Sequence, residues 1–184
     1  MVPHDAGVTQ DGRAAFLDRF RWDGGHADVW RAFEDGPTLT LLVEALAAPW
    51  LDAGITRVAG VEARGFLLGG AVAVRLGAGF QAVRKAGALF PGPKQTVTSA
   101  PDYRGLTPEL SLQDTLTPDD IVLLVDDWAE RGSQALAVKA LVGRSGAQFA
   151  GVSLVVDQLD TVTRTALGRV TSLVTAHDLG DPDA

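Results

Sequence analysis

Cysteine is absent from this 184-residue sequence, and methionine and tyrosine occur once each. Without cysteine there is no disulfide, no thiolate nucleophile and no thiolate metal ligand. Histidine is scarce too: His4, His26 and His177 have no spacing that would hold zinc and no serine or cysteine constellation around them, so they read as structural or exposed. No apolar run reaches the ~18 residues of a membrane-spanning helix. No basic-then-apolar leader opens the sequence, and the expectation is a soluble, cytoplasmic protein. Positive charge is in the minority, with 16 Lys and Arg against 23 Asp and Glu and a net charge of −7. That balance excludes a global field that would recruit nucleic acid or an anionic membrane, so any anionic ligand must be held locally.

What is present is enough for one domain with a real core, since 46% of the residues are apolar. The chain is organised around Ile121–Ser133, IVLLVDDWAERGS. Ile121 to Val125 are five branched aliphatics without alternation, which predicts a strand covered on both faces, as in the middle of a parallel sheet. After Gly132 the period becomes helical through Ala135, Val138 and Val142, with Gly143 placed to close the helix in a left-handed conformation.

The other elements fall into place around this stretch. Residues 1–12 and 180–184 are small and polar and are expected to be loosely held; Arg13–Phe20 predicts a short helix, and Trp22-Asp23-Gly24-Gly25 a turn. Pro37 starts a helix over Thr38–Ala48 that Pro49 ends. Arg57–Val61 reads as a buried strand, Glu62-Ala63-Arg64-Gly65 as a charged turn, and Phe66 to about Leu76 as a helix. Phe80–Val83 reads as a strand and Gln95–Gln113 as a less buried two-stranded arm broken at Asp102–Gly105. Ala150–Val156, Asp160–Leu167 and Thr171–Thr175 follow as strand, helix and strand. Strands alternating with helices predict an α/β fold with a mostly parallel sheet. The expected organisation is one domain over 1–184, with a loosely packed N-terminal segment and hood to about residue 36 and an α/β core over about 37–175.

Asp126 and Asp127 carry the first chemical signal. Two carboxylates at the end of a buried strand can accept hydrogen bonds from vicinal hydroxyls or bind Mg²⁺ directly or through water, because hard cations prefer oxygen. Residues of this type also cap helices or solvate strand ends. Glu130-Arg131-Gly132-Ser133 adds a glycine, a hydroxyl and free amides at a helix N-terminus, which is how backbone groups cradle a phosphate. Carboxylates for a sugar beside amides for a phosphate point to a ribose phosphate.

The aliphatic strand, the acidic pair and the five-residue loop Glu130-Arg131-Gly132-Ser133-Gln134 resemble the phosphoribosyl-pyrophosphate signature of type I phosphoribosyltransferases. Gly60-Val61-Glu62-Ala63-Arg64-Gly65-Phe66 is similar to the pyrophosphate-loop motif of the adenine phosphoribosyltransferases. Val83-Arg84-Lys85 with Gly87 and Pro91-Gly92-Pro93 resembles that family's "RKxGKLPGP" segment, and Asp102-Tyr103 the Glu-Tyr of its flexible loop. These motifs follow the family order over about residues 55–156.

The resemblance implies the type I phosphoribosyltransferase fold, a mostly parallel twisted sheet flanked by helices with a small N-terminal hood and a flexible β-arm. It implies that a purine N9 displaces pyrophosphate from phosphoribosyl pyrophosphate through an oxocarbenium-like transition state with Mg²⁺. Asp126 and Asp127 would hold the ribose hydroxyls and the metal, and Glu130, Arg131, Gly132, Ser133 and Gln134 the 5-phosphate. Glu62, Ala63, Arg64, Arg84 and Lys85 would face the pyrophosphate, and a cis peptide would join Glu62 to Ala63. Glu130 would also act at purine N7. In the hood segment Asp28–Phe33, which corresponds to the family's "GxxFRDITPLL", Val29, Trp30 and Arg31 would contact the base, and Tyr103 would close over it. A homodimer is the implied assembly.

Three positions depart from the adenine enzymes. The phosphate loop replaces Ala-Thr-Gly-Gly-Thr, Ala88 stands where a lysine is usual with Lys94 six residues on, and the hood is shorter. The alternatives that remain open are a catalytically silent member of the fold that binds phosphoribosyl pyrophosphate or a nucleotide, and an enzyme for xanthine, hypoxanthine, guanine or a pyrimidine.

Overall fold

Ile121 to Val125 do run through the middle of a sheet, and their alternate side chains feed two separate cores. The computed structural model describes residues 4–87, 89–100 and 106–180. The elements, in chain order, are α1 (His4–Arg19), β1 (Arg21–Asp23), β2 (His26–Asp28), α2 (Trp30–Glu34), α3 (Gly36–Ala47), β3 (Arg57–Val61), α4 (Arg64–Leu76), β4 (Gly79–Lys85), β5 (Lys94–Thr98), β6 (Glu109–Gln113), β7 (Ile121–Ala129), α5 (Ser133–Arg144), β8 (Gln148–Asp157), α6 (Thr161–Leu167) and β9 (Val170–Thr175). A seven-stranded sheet has the order β5-β6-β4-β3-β7-β8-β9. Its run from β4 to β9 is parallel, and β6 adds to β4 antiparallel, with β5 antiparallel to β6.

On one face Leu123 and Val125 pack with Phe16, Leu42, Leu46, Leu68 and Val72 from α1, α3 and α4. On the other, Val122 and Leu124 pack with Val138 and Leu141 of α5 and with Leu110 and Leu112 of β6. A strand buried on both faces has no polar side to alternate, which explains the unbroken aliphatic run. At the start of α3 the Asp35 carboxylate accepts hydrogen bonds from the Thr38 amide at 3.0 Å and its hydroxyl at 2.7 Å, and Pro37 lies in the first turn. Pro49 falls in a short 3₁₀ turn, Ala48–Trp50, that ends the helix.

Four local expectations are corrected. Residues 4–12 are not loose but belong to α1, which docks on α3. Gly12 lies against Ala45 and the Leu41 carbonyl with no room for a Cβ, so tertiary packing overrides a weakly helical composition. The arm is not peripheral: Leu110, Ser111 and Leu112 are buried, because α5 covers β6 and makes the arm part of the main sheet. Gly143 lies inside α5, and the glycine with positive φ is Gly146 at 75°. Finally, β7 continues four residues beyond Val125, since Asp126, Trp128 and Ala129 pair with Leu154, Val156 and Asp157 of β8. The acidic pair is therefore in the strand itself. No helix among the described residues is long and apolar enough to cross a membrane.

The N-terminal segment is fastened to the far end of the chain. Asp178 accepts hydrogen bonds from the Thr175 amide at 2.7 Å and hydroxyl at 2.9 Å, and pairs with Arg13 at 2.7 Å. The amide bond first, with the guanidinium and hydroxyl behind it, holds the carboxyl down at about 2. A folded-state pKa below the unfolded value of about 3.9 stabilises the fold above that value, and the contribution is lost as pH falls toward 2. Asp178→Ala is expected to cost about 1 kcal/mol at pH 7, measured by urea unfolding, and the gap from the parent protein should close between about pH 4 and pH 2.

Candidate active site

Strands β3 and β7 are parallel neighbours, so the turn after β3 and the acidic end of β7 emerge on the same edge of the sheet. Two glycines let them meet. A Cβ on Gly60 would overlap the Gly65 carbonyl, and one on Gly65 would lie 3.0 Å from Asp126 Oδ1 and 3.3 Å from the Val125 carbonyl. Only hydrogen at these positions lets α4 begin directly against β7. The Glu62-Ala63 peptide between them is cis. The approach brings Arg64 Nε to 3.0 Å from Asp127 Oδ2.

Asp127 is only 4% exposed, and Asp126 beside it is half-buried. Asp126 Oδ1 accepts the Asp127 amide at 3.0 Å. Asp127 Oδ2 is buried and accepts no hydrogen bond, because Arg64 reaches it at ion-pair distance without aligning an N–H on it. Burial first, and then repulsion from Asp127, push the Asp126 carboxyl well above the ordinary carboxylate range. Burial also raises Asp127, against the opposing pull of Arg64.

The loop after β7 turns at Gly132, whose φ of 67° is left-handed. That conformation favours glycine, and a Cβ there would also come within 2.6 Å of Thr163 Cγ2 and 2.7 Å of Leu159 Cδ2, side-chain ends that would have to shift. Gly132 starts α5 without a side-chain cap, and the Leu136 amide is bonded to its carbonyl. The amides of Ser133, Gln134 and Ala135 thus precede the helical ladder and have no acceptor within it. Together with the dipole of a twelve-residue helix they favour an anion.

All of this opens into one cavity of about 650 Å³. Its walls include Glu62, Ala63, Arg64, Lys85, Asp126, Asp127 and the whole loop Glu130, Arg131, Gly132, Ser133 and Gln134. Glu62 is held in place: its carboxylate accepts the Lys85 amide at 2.6 Å and Arg84 Nε at 3.0 Å. Arg84 turns away to the Leu89 carbonyl and the Phe90 ring and is not in the cavity wall. Lys94 begins β5 opposite Gln113 and does not reach the cavity either.

The hood side of the cavity is made by Trp22, Gly25, His26 and Ala27. The expected base contacts lie elsewhere: Val29 is fully buried in the core, Trp30 is half exposed and packs on Phe33, and Arg31 bonds Asp28 at 2.8 Å beside a separate shallow depression. The hairpin β1-β2 swings its Asp23-Gly24-Gly25-His26 turn over the cavity, and the Trp22-Asp23-Gly24-Gly25 turn was the signal in the sequence. Trp128 and Gln158 also line the cavity and were not foreseen. Tyr103, with Asp102 and Ala88, lies outside the described residues. Among the described residues no group of three or more His, Asp or Glu could hold a metal ion by itself.

No family model matches the chain. Curated relatives do: an adenine phosphoribosyltransferase of Streptomyces clavuligerus is 41% identical over 130 residues, 71% of this chain and 72% of that one. One of Escherichia coli K12 is 37% identical over 134 residues, 72% of each chain. Among solved structures, the adenine phosphoribosyltransferase of Giardia lamblia in complex with 9-deazaadenine superposes with a TM-score of 0.77 at 30% identity, covering 92% of this chain and 98% of that one. The Rhodothermus marinus enzyme gives 0.77 at 29%, covering 90% and 98%. With this identity over more than two thirds of its length, and with this fold, the chain belongs to the adenine phosphoribosyltransferase family of type I phosphoribosyltransferases.

Proposed function

We propose that this chain transfers the phosphoribosyl group of phosphoribosyl pyrophosphate to adenine, releasing pyrophosphate and forming the nucleoside monophosphate in purine salvage. The observation that carries the reading is the convergence, in one cavity, of the buried Asp127 with half-buried Asp126 beside it, a glycine loop at the start of α5, and the cations Arg64 and Lys85. The donor has the complementary parts: a vicinal diol, a 5-phosphate and a pyrophosphate.

The loop 130–134 and the first amides of α5 would hold the 5-phosphate. Asp126 and Asp127 would accept the ribose hydroxyls, and the unsatisfied Asp127 Oδ2 fits such a donor. Arg64 and Lys85 would neutralise the leaving group; the Lys85 ammonium has no partner among the described residues. The purine N9 lone pair then bonds to C1′ as the C1′–O bond breaks, and pyrophosphate departs with the bonding pair. Held this way, the ring meets the base in line while positive charge grows at C1′ beside the acidic pair. The proton released from the base would pass to Glu130, which lines the cavity.

Mg²⁺ is part of the proposal. Two carboxylates cannot cage it alone, but a magnesium ion takes most of its oxygens from substrate phosphates and waters, so Asp126 and Asp127 suffice to orient it. When bound it would neutralise charge on the pyrophosphate. A cytoplasmic location goes with the same reading, because donor and product carry phosphates and do not cross membranes unaided. A homodimer is supported by exposed apolar side chains on α4 and β4, with Leu67, Val74 and Phe80 38%, 83% and 39% exposed.

Three outcomes test this. With Mg²⁺, phosphoribosyl pyrophosphate and adenine, the purified chain should release pyrophosphate, and Asp127→Asn should lower kcat/KM about a hundredfold; donor binding by calorimetry without turnover of any purine would identify a silent relative instead. Gly132→Ala should raise the donor KM at least about tenfold and destabilise the free protein by about 1–3 kcal/mol in thermal unfolding, since the left-handed turn and the Thr163 contact both resist a Cβ. Light scattering should find twice the chain mass of 19.3 kDa, and Val74→Glu should return it to one.

A further inference from the structure

Two walls of the cavity carry charge, and under the proposed function, on which this inference rests, both are taken by the donor's phosphates. The wall beneath the hood is aromatic. Trp22 and Trp128 meet edge to face with ring centres 6.2 Å apart, and Phe20 backs both. An indole has one N–H and no acceptor. Trp22 donates its N–H to the Leu179 carbonyl at 3.0 Å, and Trp128 donates its own to Gln158 Oε1 at 3.0 Å. Neither indole has a donor left for a ligand, so these two side chains offer only their rings, which suit a flat heteroaromatic base.

The contact with Trp128 fixes which way Gln158 points. Because the indole nitrogen only donates, the atom facing it must be the amide oxygen, and the NH₂ is the opposite end of the group. That NH₂ has no partner among the described residues, and Gln158 lines the cavity. The backbone beneath is held on both sides. The Gln158 amide bonds the Ala129 carbonyl at 2.9 Å, and buried Asp157, paired with Arg164, accepts the Leu159 amide at 2.8 Å. A donor so fixed loses little freedom when it binds.

We propose that Gln158 is a specificity-determining residue for the base: clamped by Trp128, it presents a hydrogen-bond donor to a ring-nitrogen acceptor of a purine lying against the Trp22–Trp128 wall. A donor-only group favours a base with a lone pair at that place and disfavours one carrying an N–H or an amino group there, which leaves a donor facing a donor.

Two substitutions separate donation from mere support of Trp128. Gln158→Glu keeps an oxygen for the indole N–H but replaces the NH₂ with a second oxygen, whereas Gln158→Leu removes both. Each is expected to raise KM for adenine about tenfold, with KM for phosphoribosyl pyrophosphate unchanged within about twofold. Trp128→Phe frees the amide, so adding Gln158→Leu to it should cost less than Gln158→Leu alone. An adenine KM for Gln158→Glu equal to that of the parent, or an equal rise in KM for both substrates, overturns the proposal. Quenching of tryptophan fluorescence on titration with adenine reads the same affinities without turnover. If the parent turns over no purine yet Gln158→Glu binds adenine more weakly in that titration, the proposed reaction fails and the role of Gln158 stands; equal quenching curves overturn it.

Discussion

The contact between the start of α4 and the end of β7 is the constraint on which the cavity depends. Without side chains at Gly60 and Gly65 the helix sits on the strand, and Arg64 arrives beside a carboxylate that β7 has carried into the interior. Burying two adjacent carboxylates is costly, and one guanidinium offsets only part of that cost. The free protein therefore holds its acidic pair in an unfavourable state, with one oxygen lacking any hydrogen bond. Ligand hydroxyls or a cation would relieve it, as the proposed function requires.

The same edge of the sheet gathers the remaining parts because β3, β4 and β7 are parallel neighbours and end together. Open α/β sheets place ligands at the carboxyl ends of their strands for this reason. The hood closes the cavity from outside the sheet, and its position is set by contacts to the far end of the chain: Trp22 to the Leu179 carbonyl, and Arg13 to Asp178. Phe16, Phe20 and Val29 share one core with Leu123 and Val125 of β7, so the hood and the acidic strand are packed as a unit.

Loop 130–134 presents backbone features that favour an anion whatever side chains it carries. Those features are the left-handed Gly132 and the amides opening α5, none of which depends on the neighbouring side chains. Glu130 brings a negative charge into the loop, and Arg131 beside it brings a positive one into the same wall. Ser133 keeps a hydroxyl at the start of the helix.

Much of this was legible in the residues. The unalternated run Ile121 to Val125 specified a strand with both faces covered, and Asp126-Asp127 followed by a glycine loop specified carboxylates beside a helix N-terminus, because backbone reach and charge are local properties of the chain. Where α1 begins, how deep β6 lies and which hood residues face the cavity were not legible, since each is decided by packing between segments distant in sequence. Val29, Trp30 and Arg31 had the right residue types, yet the turn at Gly24-Gly25 put Trp22 and His26 over the cavity instead. Trp128 and Gln158 stand 30 residues apart and become neighbours only because β7 and β8 pair in register. The sequence by itself determined the chemistry of the acidic strand and its loop; the tertiary structure alone decided what faces them, because that depends on which strands are neighbours and how the hood packs.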